Sequence, residues 1–202
     1  MAYPTVSAPY GLKPVNLIGG QVFAGSTRLM EIASGYATNI FYGDLVKRVS
    51  TGTIELDGGT ATATPCGVFL GVQFTNGSTG QVQQQQFYPA SQSIKSGTKI
   101  FAVVADDPDT LFQVVSCSGT TVVAGMGISA IGNNIALIQN AGSTTTGNSA
   151  VAIDEGTQAT TSSLPIRIID VVRDTATGSD TFVEFIVKIN ATMHQYNNST
   201  GV

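Results

Sequence analysis

The chain has 202 residues, 23 of them glycine, no tryptophan and only 11% charged side chains, less than half of the roughly one quarter usual in a soluble domain. Hydroxyls and amides stand in for charge, with 25 Thr, 17 Ser, 12 Gln and 10 Asn, and segments 58–94 and 110–153 contain no Asp, Glu, Lys or Arg. This rules out most helix-built folds, whose exposed faces carry Glu, Lys and Arg at i,i+4 spacing, and the net charge of −4 argues against a nucleic-acid groove with its clustered Lys and Arg.

Residues 1–26 read as an extended arm. Pro4, Pro9 and Pro14 recur every five positions, and Gly11, Gly19, Gly20 and Gly25 deny a helix. Its apolar side chains (Tyr3, Val6, Tyr10, Leu12, Val15, Leu17, Ile18, Val22 and Phe23) are too many for a solvated linker. Something should cover the arm, either its own domain or a neighbouring subunit. The first residues lack the basic and apolar regions of a signal peptide. No run reaches the ~18 apolar residues of a membrane span, so synthesis in a cytoplasm and no membrane partner are expected.

A β-rich body is expected over 27–190, in one lobe or two divided near 141–160, followed by a polar, peripheral tail over 191–202. Strands are read at 27–32, 44–49, 53–56 and 60–64, with Asp57-Gly58-Gly59 as the hairpin turn between the last two. Strands 68–75 and 81–88 flank Asn76-Gly77-Ser78-Thr79-Gly80 as a second hairpin, and alternate glutamines of the run 83–86 share a sheet face. The nearly continuous apolar run 99–105 implies a strand covered on both faces; the acidic turn Asp106-Asp107-Pro108-Asp109 and a strand at 111–116 follow. One short helix fits within 122–131, then a strand at 135–139 and a Gly/Ser/Thr/Asn loop at 141–149. Strands at 164–172 and 181–190 close the body. In the second, Phe182, Glu184, Ile186 and Lys188 share the outer face, and Val183, Phe185, Val187 and Ile189 the buried one. The whole predicts an all-β fold, a β-sandwich or barrel body with an extended N-terminal arm and little helix.

Catalysis lacks parts. His194 is the single histidine, placed in the polar tail without the surroundings of a buried base; a Ser/His/Asp or Cys/His site would have to use it. Together with Cys66 and Cys117 it cannot build the usual four-ligand zinc site. The two cysteines read as buried thiols of a reducing compartment in preference to a disulfide. Gly20 to Thr27 has the glycine spacing of a phosphate loop but neither its lysine nor a following helix. Asp106, Asp107 and Asp109 suggest calcium only weakly, without the later Gly and Glu of an EF-hand. Asp106 and Asp109 as paired carboxylates of a glycan-processing enzyme lack Trp platforms. No catalytic residue, metal or cofactor is assigned, and the profile is that of an assembly subunit.

Six stretches taken in order resemble the head decoration, or cement, proteins of tailed bacteriophages. They are Gly11-Leu12-Lys13-Pro14-Val15, Gly43-Asp44-Leu45-Val46-Lys47, Gly67-Val68-Phe69-Leu70-Gly71-Val72, residues 101–112 around Ala105-Asp106-Asp107-Pro108-Asp109, Ile166-Arg167-Ile168-Ile169-Asp170, and Val187-Lys188-Ile189-Asn190 with His194-Gln195. The resemblance spans most of the chain. It implies a non-enzymatic virion protein, commonly a homotrimer, bound to the outer surface of the major capsid protein shell, with no nucleic acid or membrane partner. A trimer contacting several capsid subunits turns modest contacts into lasting attachment.

On this reading Tyr3, Val6, Tyr10, Leu12, Val15, Leu17, Val22 and Phe23 form the candidate interface. The arm would add a strand to a neighbour's sheet. The two uncharged segments would lie against other copies or the shell, where unpaired charge is costly to desolvate. A trimeric tail-fibre or receptor-binding module is the alternative. A major capsid protein needs a long spine helix, for which no charged amphipathic run exists.

Overall fold

A computed structural model describes residues 8–117, 126–176 and 182–201. Its regular secondary structure is nearly all strand: β1 (Lys13–Leu17), β2 (Arg28–Ile32), β3 (Leu45–Arg48), β4 (Ile54–Leu56), β5 (Gly67–Thr75), β6 (Val82–Gln85), β7 (Ile100–Ala105), β8 (Thr110–Cys117), β9 (Asn134–Ile135), β10 (Leu137–Ile138), β11 (Ala152–Asp154), β12 (Ile166–Val171) and β13 (Glu184–Ile189). The helical elements among the described residues are three single 3-10 turns, one of them Ile128–Ala130 within the segment expected to hold a short helix; residues 122–125 of that segment lie outside the described residues.

The first strands pair into a closed ring. The order is β3-β4-β2-β7-β5, and β5 returns to β3 through Leu45 opposite Val68 and Val46 opposite Gly67. Met30, Ile32, Val46, Phe69, Val72 and Val104 fill the inside. Closure removes the open edges of these five strands, and β6 hangs on β5 as a sixth. Gly67 stands at the seam. A Cβ there would lie 2.4 Å from the Ala105 carbonyl oxygen, so only glycine lets β5 approach the end of β7 so closely.

The hairpin expected at Asp57-Gly58-Gly59 is not formed, and 60–64 is not a strand. Asp57 instead accepts the Gly59 and Thr64 N–H groups at 3.1 and 2.8 Å, gathering 57–64 into a loop. An Asx-type bond of this kind competes with ladder pairing. The hairpin here is β3–β4, turned by bonds between Val49, Gly52 and Thr53. The second expected hairpin does form, as β5–β6, with Asn76 capping its turn through bonds to Ser78 and Thr79.

The second sheet runs β10-β11-β8-β13-β12-β9. β8 pairs with β13 along one edge and shares the other between β1 and β11. The expected strand 135–139 is split at Ala136 into β9 and β10, at opposite edges of the sheet, so the sheet curls until those edges are one residue apart. Its inner face, including Phe112, Val114, Phe185 and Val187, packs on Leu45, Val68 and Ala105 from the outside of the barrel. The chain changes sheets at 106–109, well before 141–160. The 141–149 loop turns back to the barrel, with Tyr42 N–H donating to Gly147 O at 3.0 Å and Ser149 N–H to Tyr42 O at 2.9 Å.

The described part of the arm belongs to this body. β1 pairs antiparallel with β8, Lys13 opposite Gln113. Leu12 is fully enclosed, and Gly11 and Leu12 donate to Val151 O, just before β11, and Gly43 O, just before β3. Gly11 has φ +79° and a Cβ there would meet Ser149 at 2.6 Å, so this seam requires glycine. The tail is not peripheral either: His194 has no exposed surface, contrary to its reading as a residue outside any buried setting.

Candidate interaction surface

Side chains alternate in and out along the barrel strands, and the outward row of β7 is Ala105, Val103, Phe101. The second sheet covers Ala105, Val103 is half-buried, and Phe101 is 36% exposed. β5 repeats the gradient: Val68 is enclosed, Gly71 follows a bulge, and Gln73 lies half-open opposite Phe101. The wall continues on β2 with Leu29, 58% exposed and opposite Val103, and Glu31 opposite Phe101. On β6 it continues with Gln84 opposite Gln73 and Val82, 63% exposed, opposite Thr75.

The result is an apolar patch of Leu29, Phe101 and Val103 beside a ladder of uncharged amides. On this wall Gln84 Nε2 donates to Gln73 Oε1 at 3.5 Å, while Asn76 Nδ2 donates to Gln83 Oε1 at 3.1 Å on the other face of the hairpin, the face of Phe74. One ion pair fringes it, Lys99 Nζ to Glu31 Oε2 at 2.5 Å. β6 is also an edge strand, and residues 81–87 offer neither charge nor proline, the usual guards against pairing with another chain. The wall is thus half-apolar and ends in an edge strand without those guards. The alternation of 28–32 and 100–105 carried this signal; what hid it was the expectation of cover on both faces of β7.

The eight arm residues scatter. Tyr3 and Val6 lie outside the described residues. Leu12 is in the core, Phe23 packs against it, and Leu17 is half-buried. Tyr10 donates its phenol to Glu184 Oε1 beneath the Lys13 ammonium, which sits 4.0 Å from the ring centre. Burial first, then Glu184, pushes the Tyr10 pKa up. That contact also buries Glu184, which was expected on the outer face of its strand. Val15, and Val22 at 77% exposure, remain available to a partner.

The other candidates are spoken for within the chain. Asp106 pairs with Arg28 Nε at 2.8 Å, Asp107 caps Asp109 N–H at 2.8 Å, and Asp109 pairs with Lys188 at 2.6 Å. Among the described residues no three His, Cys, Asp or Glu side chains group to hold a metal. Cys66 and Cys117 are buried thiols, and burial pushes Cys66 up to about 12, so it is inert. An open cleft between barrel and second sheet holds Phe41, Asp44 and Gln139. Its polar groups bond inward, Asp44 Oδ2 to Phe41 N–H at 2.7 Å and Gln139 Nε2 to the Asp57 and Gly59 carbonyls.

The two uncharged segments differ in setting. Within 110–153 half of the described residues are buried, including most of β8, Leu137 and Val151. For the buried residues the lack of charge follows from folding, whereas the loop residues 143–146 are exposed. Residues 58–94 combine buried β5 with the exposed amides of the 76–86 hairpin. No helix among the described residues is long and apolar enough to cross a membrane. Compared with protein-family models, with curated proteins and with solved structures, the chain matches none of them.

Proposed function

We propose that this chain is a structural virion protein that decorates the outer surface of a tailed-phage capsid as a homotrimer. It clamps adjacent major capsid subunits through the open barrel wall and the β6 edge. The observation that carries the reading is the wall itself: Leu29 and Phe101 stay exposed beside half-buried Val103 and uncharged glutamines in a chain that otherwise closes its barrel and satisfies its acidic turns internally. The order of the six family-like stretches supports the same reading.

The wall fits a clamp in three ways. Burying a half-exposed Leu or Phe contributes about 1–2 kcal/mol at ~25 cal/mol per Å². That is modest for one copy but ample when three linked copies engage together. Amide-to-amide contacts carry no net charge, so salt screens them little. The β6 edge supplies backbone donors and acceptors without ordering a loop.

The experiment is to add purified protein to undecorated heads of the phage whose genome encodes it and to image the particles. Density on the shell at three-fold positions is expected. Density only at the tail would replace this reading with the fibre module, and no density would end both. Deletion of 1–23 is a poor test of the arm, because it removes β1 and Leu12 from the protein's own core. Val22→Glu is the clean one.

A further inference from the structure

The C-terminal residues 190–198 tie the two sheets together. Successive turns wind them beside the end of β13: Met193 and His194 N–H donate to Asn190 O at 2.9 and 3.0 Å, and Asn197 and Asn198 N–H donate to His194 O at 2.9 and 2.8 Å. Two side chains then reach the barrel. Gln195 brackets the Arg48 residue, Oε1 accepting its N–H at 2.7 Å and Nε2 donating to its carbonyl at 3.1 Å, while the Gln195 N–H donates to Pro65 O at 3.0 Å. Tyr196 donates its phenol to Asp106 Oδ2 at 2.7 Å, the oxygen that Arg28 Nε also holds at 2.8 Å. The Arg28 guanidinium lies 5.8 Å from the Tyr196 ring centre. One segment thus joins β13 to β2, to β3 and to the 106–109 turn.

His194 sits at the root of this segment with no exposed surface. Its Nδ1 accepts the Tyr196 N–H at 3.2 Å, which fixes the neutral ring with its proton on Nε2. Nε2 has no hydrogen-bond partner among the described residues. An imidazolium has two N–H donors and no acceptor, so it breaks the Tyr196 bond and leaves a second donor facing that N–H. The charges facing the ring are Asp106 and Asp107, which favour the cation, and Lys188, which opposes it. Arg28 offsets part of Asp106, and the Tyr196 ring lies 5.2 Å away. Burial outweighs the aspartates and holds the pKa below its ordinary 6.5.

We propose that residues 190–198 form an acid-released clasp, in which protonation of His194 frees Gln195 and Tyr196 from Arg48, Pro65 and Asp106 and lets the barrel loosen from the second sheet. The released segment binds the proton more tightly than the closed one. The clasp is therefore fully closed above pH 6.5 and weakens as pH falls from 6.5 toward the lower folded-state value. It does not depend on the virion reading.

Amide hydrogen exchange on the full chain at pH 7.5 and 5.0, corrected for intrinsic rates, tests this. Protection of the Gln195 and Tyr196 amides should fall at least about ten-fold at pH 5.0 while Val104 and Phe112 hold theirs, the signature of local opening. His194→Asn keeps an acceptor near the Nδ1 position and cannot titrate, so its protection should not fall. Unchanged protection in the wild type, or an equal fall in His194→Asn, overturns the proposal. If His194→Asn does not fold, the wild type decides alone, because its single histidine gives one imidazole resonance. Titration below 6.5 in step with lost protection supports the clasp, and titration at or above 6.5, or out of step, contradicts it.

Discussion

β7 and β8 follow each other in the chain, are both rich in apolar residues, and end in opposite situations. β8 is covered along both faces, Phe112 and Val114 by the inner core and Leu111 and Val115 on the other side, where Tyr10 and Glu184 close over the neighbouring strand. β7 is enclosed on its barrel side, by Ile100, Ala102 and Val104, while its outward row opens from Ala105 to Phe101. A run of apolar residues says that cover is needed on two faces. It does not say whether the cover belongs to the same chain, and where the chain supplies none, a partner is the economical answer.

Substitutions can break this contrast. Phe112→Ala empties a closed site and should cost about 3–5 kcal/mol, read as a lower midpoint in urea. Tyr10→Phe leaves Glu184 buried without its phenol donor, at about 1–3 kcal/mol in the same measurement. Phe101→Ala, on the wholly apolar β7, should cost at most about 1 kcal/mol, since exposed substitutions rarely exceed that. A loss as large as that of Phe112→Ala would show that the wall is already covered. Gln84→Lys should leave stability within about 0.5 kcal/mol while weakening attachment to heads several-fold, because it sets a charge on the amide ladder.

Much of the architecture was legible in the chain. The alternation of 67–75 against 82–85, and of 184–189, gave strands, faces and one hairpin, because side-chain period is a local property. Closure of the barrel was not legible, since the pairing of β3 with β5 joins residues that carry no sign of each other beyond Gly67. Asp57 misled because an aspartate before two glycines serves a hairpin turn and a loop cap equally well. The tail misled because its contacts are made by Gln195 and Tyr196, amphipathic side chains that suit a surface as well as a clasp. Of the candidate contact residues, Leu12 and Phe23 proved internal because apolar side chains in an extended segment do not declare whose core they join. Leu29 and Phe101 went unnoticed because each sits among residues that do belong inside.

Equilibrium binding to undecorated heads separates a barrel wall that takes up a capsid partner from one that does not. The Leu29→Glu/Phe101→Glu double variant should bind at least about 100-fold more weakly, about 2.7 kcal/mol, while melting within about 5 °C of wild type. Ile128→Glu, at a comparably exposed position off the wall, should bind as wild type does. Undiminished binding by the folded double variant would mean that the wall is not the capsid-binding surface.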